Sequence, residues 1–430
     1  FHSVFDDASP DVYTGQSIFD LDGAVDYGLL HSAAAELLRR HSTLRSCFRQ
    51  RRSGEWAQLV LREVEPDWRE VDLRNLPTDE QLTEADRLID AERMRHFDLN
   101  TPPLVRFLLL RLAGSQARFV ITSHHVAFDG WSLPVVVRDL FQLYAAGANP
   151  AALPPARGYR DFLTWLASRD NDEAMHAWTN ALADLDGPTL VAPNASRIPV
   201  LPQEIEFELS TADTTSLVRW ARDHGLTLNT VIEGAWALVL SQLTGRDDIV
   251  TGITVSGRPP ELEGVESIVG LFINTVPLRL HVRPTESLTT MLTRLQQEQT
   301  KLIPHQHIGL SHLQQLAGLP GGTDLFDTLC VFQNYPSSGA GWAQLAAAAP
   351  IVAVHSRSAS HYPLVLLVGP GKQLKLQLNY RPDVLEKPDA TTIANRLQQV
   401  LQAIQQNPQQ LTAHLPTLHN TERRHILETW

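Results

Sequence analysis

The chain has 430 residues, 43% of them hydrophobic and 20% charged, a length that exceeds one ordinary core and predicts two packed lobes. A formal charge of −12 without any long acidic block excludes a broad nucleic-acid footprint, which needs clustered cations. Only two cysteines, Cys47 and Cys330, are present, so neither a disulfide framework nor a thiolate zinc site is expected.

No apolar run reaches the ~18 to 20 residues that span a bilayer, and no basic-then-apolar export signal opens the chain. A soluble, cytoplasmic protein is the expectation. From Ala24 to His41 the spacing of Val25, Leu29, Leu30, Ala33, Leu37 and Leu38 predicts a one-faced helix, with a short strand over Thr43 to Phe48. Leu104 to Leu112 and Arg118 to Ser123 flank a turn-like Ala113-Gly114-Ser115-Gln116 and predict a central hairpin. After it, Leu133 to Tyr144 returns to helical period. The Gly- and Pro-rich run from Ala145 to Gly158 predicts an ordered loop or lobe crossing.

In the second half, Thr227 to Leu243 is apolar nearly all round and predicts an enclosed helix. Strand-like runs follow at Asp248 to Val255, Val276 to Val282, Thr328 to Phe332, Pro363 to Val368 and Leu374 to Tyr380, with helices at Ser287 to Ile303 and Thr391 to Gln405. Both halves are therefore α/β. No fixed-period repeat is present, which excludes a solenoid.

The densest chemical signal is Ser123-His124-His125-Val126-Ala127-Phe128-Asp129-Gly130-Trp131-Ser132, in the loop between the hairpin and the following helix. Adjacent strand residues face opposite ways, so one histidine can look into a cavity while its neighbour faces packed interior. The pair is thereby poorly arranged to chelate a metal together. Asp129-Gly130 suits a tight turn, and Gly130 leaves room for a ligand or another backbone. His305 and His307, or His355 and His361, lack the carboxylate or thiolate partners that complete a coordination sphere, so no metal site is expected.

This ten-residue string resembles the HHxxxDG core motif of condensation domains of nonribosomal peptide synthetases, within a superfamily shaped like chloramphenicol acetyltransferase. Further segments match that family's motifs in order. Arg40 to Phe48 is similar to its RHxxLRTxF segment, and Tyr159 to Trp165 to its YxDYxxW segment. Val255-Ser256-Gly257-Arg258-Pro259-Pro260, Val269 to Thr275, His305-Gln306-His307 and Phe332 to Pro336 complete the series. The resemblance covers nearly the whole chain. Two departures stand out: no first core motif precedes Phe1, and Ser358 to Leu364 is less polar than the family's last motif, which weakens any contact assigned to Ser360. Leu415 to Trp430 resembles the linker into an adenylation domain, so a piece of a longer protein is expected.

The resemblance implies two chloramphenicol acetyltransferase-like lobes in a V-shaped pseudo-dimer with a tunnel at their junction: an N-terminal lobe over 1–160, a C-terminal lobe over 161–415 and a linker over 416–430. It implies amide-bond formation between a donor acyl or peptidyl thioester and an acceptor aminoacyl thioester, both on phosphopantetheine arms of carrier-protein partners. The domain itself would bind no cofactor and act as a monomer beside an adenylation domain, with no nucleic-acid or membrane partner. His125 is the implied chemical residue, as base or as hydrogen-bond donor to the intermediate. His124, Asp129 and Arg258 would support the motif, while Gly130, Trp131, Ser132, Asn274, Thr275 and Ser360 would line the substrate path. A coenzyme A-dependent acyltransferase, an epimerisation domain and a non-catalytic recruitment domain of the same fold are the alternatives.

Overall fold

A computed structural model of the protein describes residues 11–319, 323–334 and 350–415. The expected 416–430 linker, and Tyr335-Pro336 of the Phe332 to Pro336 motif, lie outside the described residues. In chain order the elements are β1 (Thr14–Asp22), α1 (Tyr27–Arg40), β2 (Ser46–Gln50), β3 (Trp56–Val60), β4 (Asp67–Asp72), α2 (Thr78–Arg93), β5 (Val105–Arg111), β6 (Gln116–His124), α3 (Leu133–Ala145), α4 (Tyr159–Ala167) and α5 (Asn171–Ala181). They continue as β7 (Gln203–Glu208), α6 (Thr211–Asp223), α7 (Leu228–Thr244), β8 (Asp248–Val255), β9 (Asn274–His281), α8 (Leu288–Leu302), α9 (Leu310–Leu316), β10 (Thr328–Phe332), β11 (Ile351–Arg357), β12 (Leu364–Gly369), β13 (Lys375–Tyr380) and α10 (Lys387–Gln406).

The chain divides into two compact units, each drawn from three stretches. Among the described residues the first holds 11–168, 258–273 and 350–360, and the second holds 169–257, 274–334 and 361–415. The Ala145–Gly158 run connects α3 to α4, and both of those helices belong to the first unit.

The first unit is built on a five-stranded sheet in the order β11-β1-β6-β5-β4, antiparallel except for the parallel β4–β5 pair. Its central strands β5 and β6 are apolar on both faces because both are covered. Phe19, Phe107 and Phe119 point to one side, where they pack with α1 and α3, and the rings of Phe107 and Phe119 stack at 6.1 Å. Their sequence neighbours Ile18, Leu108 and Val120 point to the other side, against Leu88 and Ile89 of α2. The expected hairpin is β5–β6, with Leu110 opposite Arg118. The expected Thr43–Phe48 strand starts late: Ser42–Arg45 is a tight 3-10 turn, and strand pairing begins at Ser46. The Arg45 guanidinium sets that turn by donating to the carbonyls of Leu38, Leu61 and Arg62.

The second unit carries a six-stranded sheet in the order β7-β13-β12-β10-β8-β9, in which β10 runs parallel to both neighbours. Helix α7 lies in its core, and every residue from Thr230 to Leu240 is buried. Gly234 lets α8 pack closely there, since a Cβ would sit 2.3 Å from Leu292 Cδ2 and push that side chain aside. Beside it, Glu233 is buried among apolar side chains and accepts hydrogen bonds from Asn229 Nδ2 at 3.0 Å and Gln299 Nε2 at 2.5 Å. Burial raises its carboxyl to about 7, more than the two amide donors lower it. Between the ordinary value of 4.5 and about 7 the native state holds a proton that the unfolded state has released. This group's contribution to stability therefore falls as pH rises across that window. Thermal unfolding at pH 5 and pH 8 should show Glu233→Gln gaining Tm relative to the wild type at the higher pH; a pH-independent difference would contradict the assignment.

Candidate active site

Strand β6 ends at His124, and its register with β1 places Thr14 opposite His124 and Gly15 opposite Ser123. The His124 N–H donates to the Leu104 carbonyl at 3.0 Å on one flank, and the His125 N–H donates to the Tyr13 carbonyl at 2.9 Å on the other. This split turns the two rings apart. His124 is 3% exposed and faces the rings of Tyr13 and Phe97, with centroids 6.2 and 6.1 Å away. Its Nδ1 accepts the Val126 N–H at 3.1 Å, which puts the proton on Nε2, 3.5 Å from Asp11 Oδ2. Burial lowers this imidazole to about 4, outweighing the opposing pull of Asp11.

His125 is half-buried, and desolvation also lowers its imidazole below the ordinary 6.5, against the attraction of Asp129 and Asp11. A neutral ring at physiological pH follows. Beside it lies Gly15: a Cβ at that position would be 3.7 Å from His125 Nε2.

The loop beyond the histidines is held by Asp129, which is 3% exposed. Its Oδ1 accepts the Ser132 N–H at 2.7 Å, and its Oδ2 accepts the N–H groups of Phe272 at 2.9 Å and Ile273 at 3.1 Å. Its own N–H donates to the Gly270 carbonyl at 3.1 Å. Arg258 approaches Oδ1 at 3.5 Å while also donating to Ser132 Oγ at 2.8 Å, to the Ile268 carbonyl at 3.0 Å and to the Val265 carbonyl. Its guanidinium lies 4.0 Å over the Phe272 ring. Ser132 Oγ closes the network by accepting the Gly270 N–H at 3.1 Å and donating to the Gly270 carbonyl at 2.8 Å. Residue 270 must be glycine, because a Cβ would fall 2.2 Å from the Tyr159 ring, whose hydroxyl donates to the Leu271 carbonyl.

The helix that follows the loop is anchored separately. Asp139 on α3 accepts from Arg40 Nε at 2.7 Å and lies 3.0 Å from His41 Nε2. Burial raises the Asp139 carboxyl, but hydrogen bonds from His41, Arg40 and Arg138 hold it down to about 2. The Arg40-His41 motif thus fixes the far side of the histidine loop.

Of the residues expected at the site, His124, His125, Asp129, Ser132 and Arg258 come together in the first unit. Gly130 and Trp131 are half-buried within the same loop. Ser132, expected along a substrate path, is fully buried and engaged in the Arg258–Gly270 network. Asn274 and Thr275 open β9 in the second unit, where Asn274 Nδ2 donates to the carbonyls of Gln306 at 2.8 Å and Ile308 at 2.7 Å. The Thr275 N–H donates to Asn274 Oδ1 at 3.0 Å, so that amide is engaged with backbone at both ends. Ser360 is half-buried and follows β11 in the first unit. Sequence reasoning missed Asp11, Tyr13 and Gly15, because the pairing of β1 with β6 that brings them to the histidines is a long-range register. Among the described residues no group of three His, Cys, Asp or Glu side chains is placed to hold a metal ion. None of the described helices is long and apolar enough to cross a membrane.

Comparison with known proteins decides the family. A model described as Condensation domain matches residues 1–427. The chain belongs to the condensation-domain family. It is 33% identical over its full length to a linear gramicidin synthase of Brevibacillus parabrevis and 35% identical over 90% of its length to the vanchrobactin synthetase VabF of Vibrio anguillarum. It spans only 8% and 14% of those relatives, which are much longer proteins. The fold matches the first condensation domain of the calcium-dependent antibiotic synthetase at a TM-score of 0.75, with 21% identity and 95% of each chain covered. It matches the X-domain from teicoplanin biosynthesis at 0.80, with 19% identity, over 96% of this chain and 94% of the other. The chain is thus a condensation domain of the nonribosomal peptide synthetase type with the chloramphenicol acetyltransferase-like fold, a family that in general forms amide bonds by acyl transfer.

Asp129→Ala would leave Arg258 buried without its carboxylate and the Ser132, Phe272 and Ile273 N–H groups without their acceptor. Breaking a buried pair on one side costs about 3–5 kcal/mol, so a large fall in the unfolding midpoint of the first unit is expected in denaturant titration. A midpoint equal to that of the wild type would show that the carboxylate does not hold the loop.

Proposed function

We propose that this domain is catalytically active: it joins a donor acyl or peptidyl thioester to the α-amine of an acceptor aminoacyl thioester, each carried on the phosphopantetheine arm of a carrier protein. The observation that carries this reading is the state of His125, a half-buried, neutral imidazole whose backbone N–H is tied to Tyr13, just ahead of β1. The amine nitrogen attacks the donor carbonyl, a C–N bond forms, the C–S bond breaks, and the thiolate leaves with the proton the amine gives up. A thioester is already activated, so bringing two tethered reactants together removes much of the barrier. The neutral His125 ring can take the amine's proton or hydrogen-bond the oxyanion of the tetrahedral intermediate. Burial of a charged imidazole is unfavourable here, which keeps the ring in its proton-accepting form near neutral pH.

Asp129 has a structural role in this scheme. Both of its oxygens are occupied by backbone donors, and Arg258 neutralises it, so it holds the loop and does not relay a proton through His125. His124 is likewise a scaffold residue, since its Nδ1 is taken by the Val126 N–H. Gly130 and Trp131 are the loop residues proposed to border the path of an arm. The carrier proteins on either side and an adjacent adenylation domain are the proposed partners, and phosphopantetheine enters only on the carriers.

The test is incubation with separately loaded donor and acceptor carriers, read by intact-protein mass spectrometry. His125→Ala should lower product formation by at least about 100-fold, the usual scale for a lost general base, with an unchanged Tm. Undiminished product in this variant would remove His125 from the chemistry, and carrier binding without any product in the wild type would assign the domain to recruitment.

A further inference from the structure

Gly15 lies inside strand β1, paired with Ser123 of β6, and strand interiors disfavour glycine. Neither of the usual structural reasons for a glycine applies at this position. Its φ is not in the left-handed region, unlike that of ten other glycines in the described chain. A Cβ would also fit without a clash: its three nearest neighbours would be His125 Nε2 at 3.7 Å, the Arg357 carbonyl at 3.8 Å and His125 Cε1 at 3.9 Å. These are ordinary contact distances, in contrast to the 2.2 Å overlap that compels glycine at position 270. What the missing side chain leaves open is therefore the space over the outer nitrogen of the His125 ring.

We infer that position 15 limits the size of the acceptor: the absent side chain makes room for the substituent on the α-carbon of the attacking amine. This rests on His125 being the group that meets that amine. The amine nitrogen must come within hydrogen-bond reach, about 3 Å, of Nε2. Its α-carbon is one bond further out, in the same shell that a Cβ at position 15 would enter. A larger residue there competes with the branch of the acceptor and leaves the donor chain, attached on the far side of the reacting carbonyl, unaffected. The fold gains nothing from this glycine, so its removal should be neutral or stabilising.

The experiment compares wild type, Gly15→Ala, Gly15→Val and His125→Ala. Acceptor carriers are loaded with glycine, alanine or valine against one donor, and acetyl and octanoyl donors are then tried against one acceptor. Gly15→Val should reduce kcat/KM for the valyl acceptor roughly 10-fold more than for the glycyl acceptor, the scale expected when a pocket loses room for a methyl or two. The ratio between the two donors should not change, and Gly15→Ala should melt at or above the wild-type Tm. Equal losses for every acceptor, a change that follows the donor, or a lower Tm in Gly15→Ala would each overturn the inference. If His125→Ala is inactive while Gly15→Val is blind to acceptor size, only this inference fails. If His125→Ala is fully active, or the wild type turns over no loaded pair, the proposed function fails and this inference fails with it.

Discussion

One carboxylate sets the geometry of the site. Asp129 ties together two stretches of chain far apart in sequence: the loop after the histidines and the 258–273 stretch, which it meets through the N–H groups of Phe272 and Ile273 and through Arg258. A charge this well buried persists only when its lone pairs are met, and here they are met by the N–H groups of Ser132, Phe272 and Ile273 and by the Arg258 guanidinium. The same saturation that makes Asp129 a good anchor makes it unavailable for chemistry. A carboxylate with spare lone pairs beside an imidazole would point to an orienting partner in a triad. This one points to a clasp.

The two histidines show how a strand end separates roles. Hydrogen bonds from successive N–H groups to opposite neighbours force successive rings to opposite sides, and burial then treats them differently. His124 loses most of its water and has its Nδ1 occupied; His125 is only half-buried. Glu233 in the second unit obeys the same desolvation rule with the opposite sign, because for an acid it is the deprotonated form that carries the charge.

Much of this was legible in the residue order. The apolar runs of β5, β6 and α7 declare themselves, since an element enclosed on all sides needs no polar face. The histidine loop is readable because its ten residues are contiguous. Arg258 was reachable as the partner of Asp129 only through the family resemblance, which supplied a long-range pairing that no local pattern encodes. What stayed hidden was of one kind. The closeness of Gly15 and Asp11 to the histidines depends on the β1–β6 register, and the donors of Phe272 and Ile273 are backbone atoms that every residue possesses. The grip of Arg40 and His41 on Asp139 joins two motifs whose separate outlines were visible and whose contact was not. The engagement of the Ser132 hydroxyl with the Gly270 backbone was hidden for a related reason, since its partner is 138 residues away in sequence.

The way the chain is threaded has a consequence for anyone recombining such domains. Residues 258–273 and strand β11 belong to the first unit although most of the intervening chain belongs to the second. A hybrid that takes its opening 168 residues from one parent and the remainder from another therefore places its splice through the clasp and the sheet alike. The imported arm would have to present backbone donors to a foreign aspartate, and the imported edge strand would have to register on a foreign neighbour. Compatibility at those two seams, more than likeness of the catalytic loop, governs whether such a chimera keeps an ordered histidine.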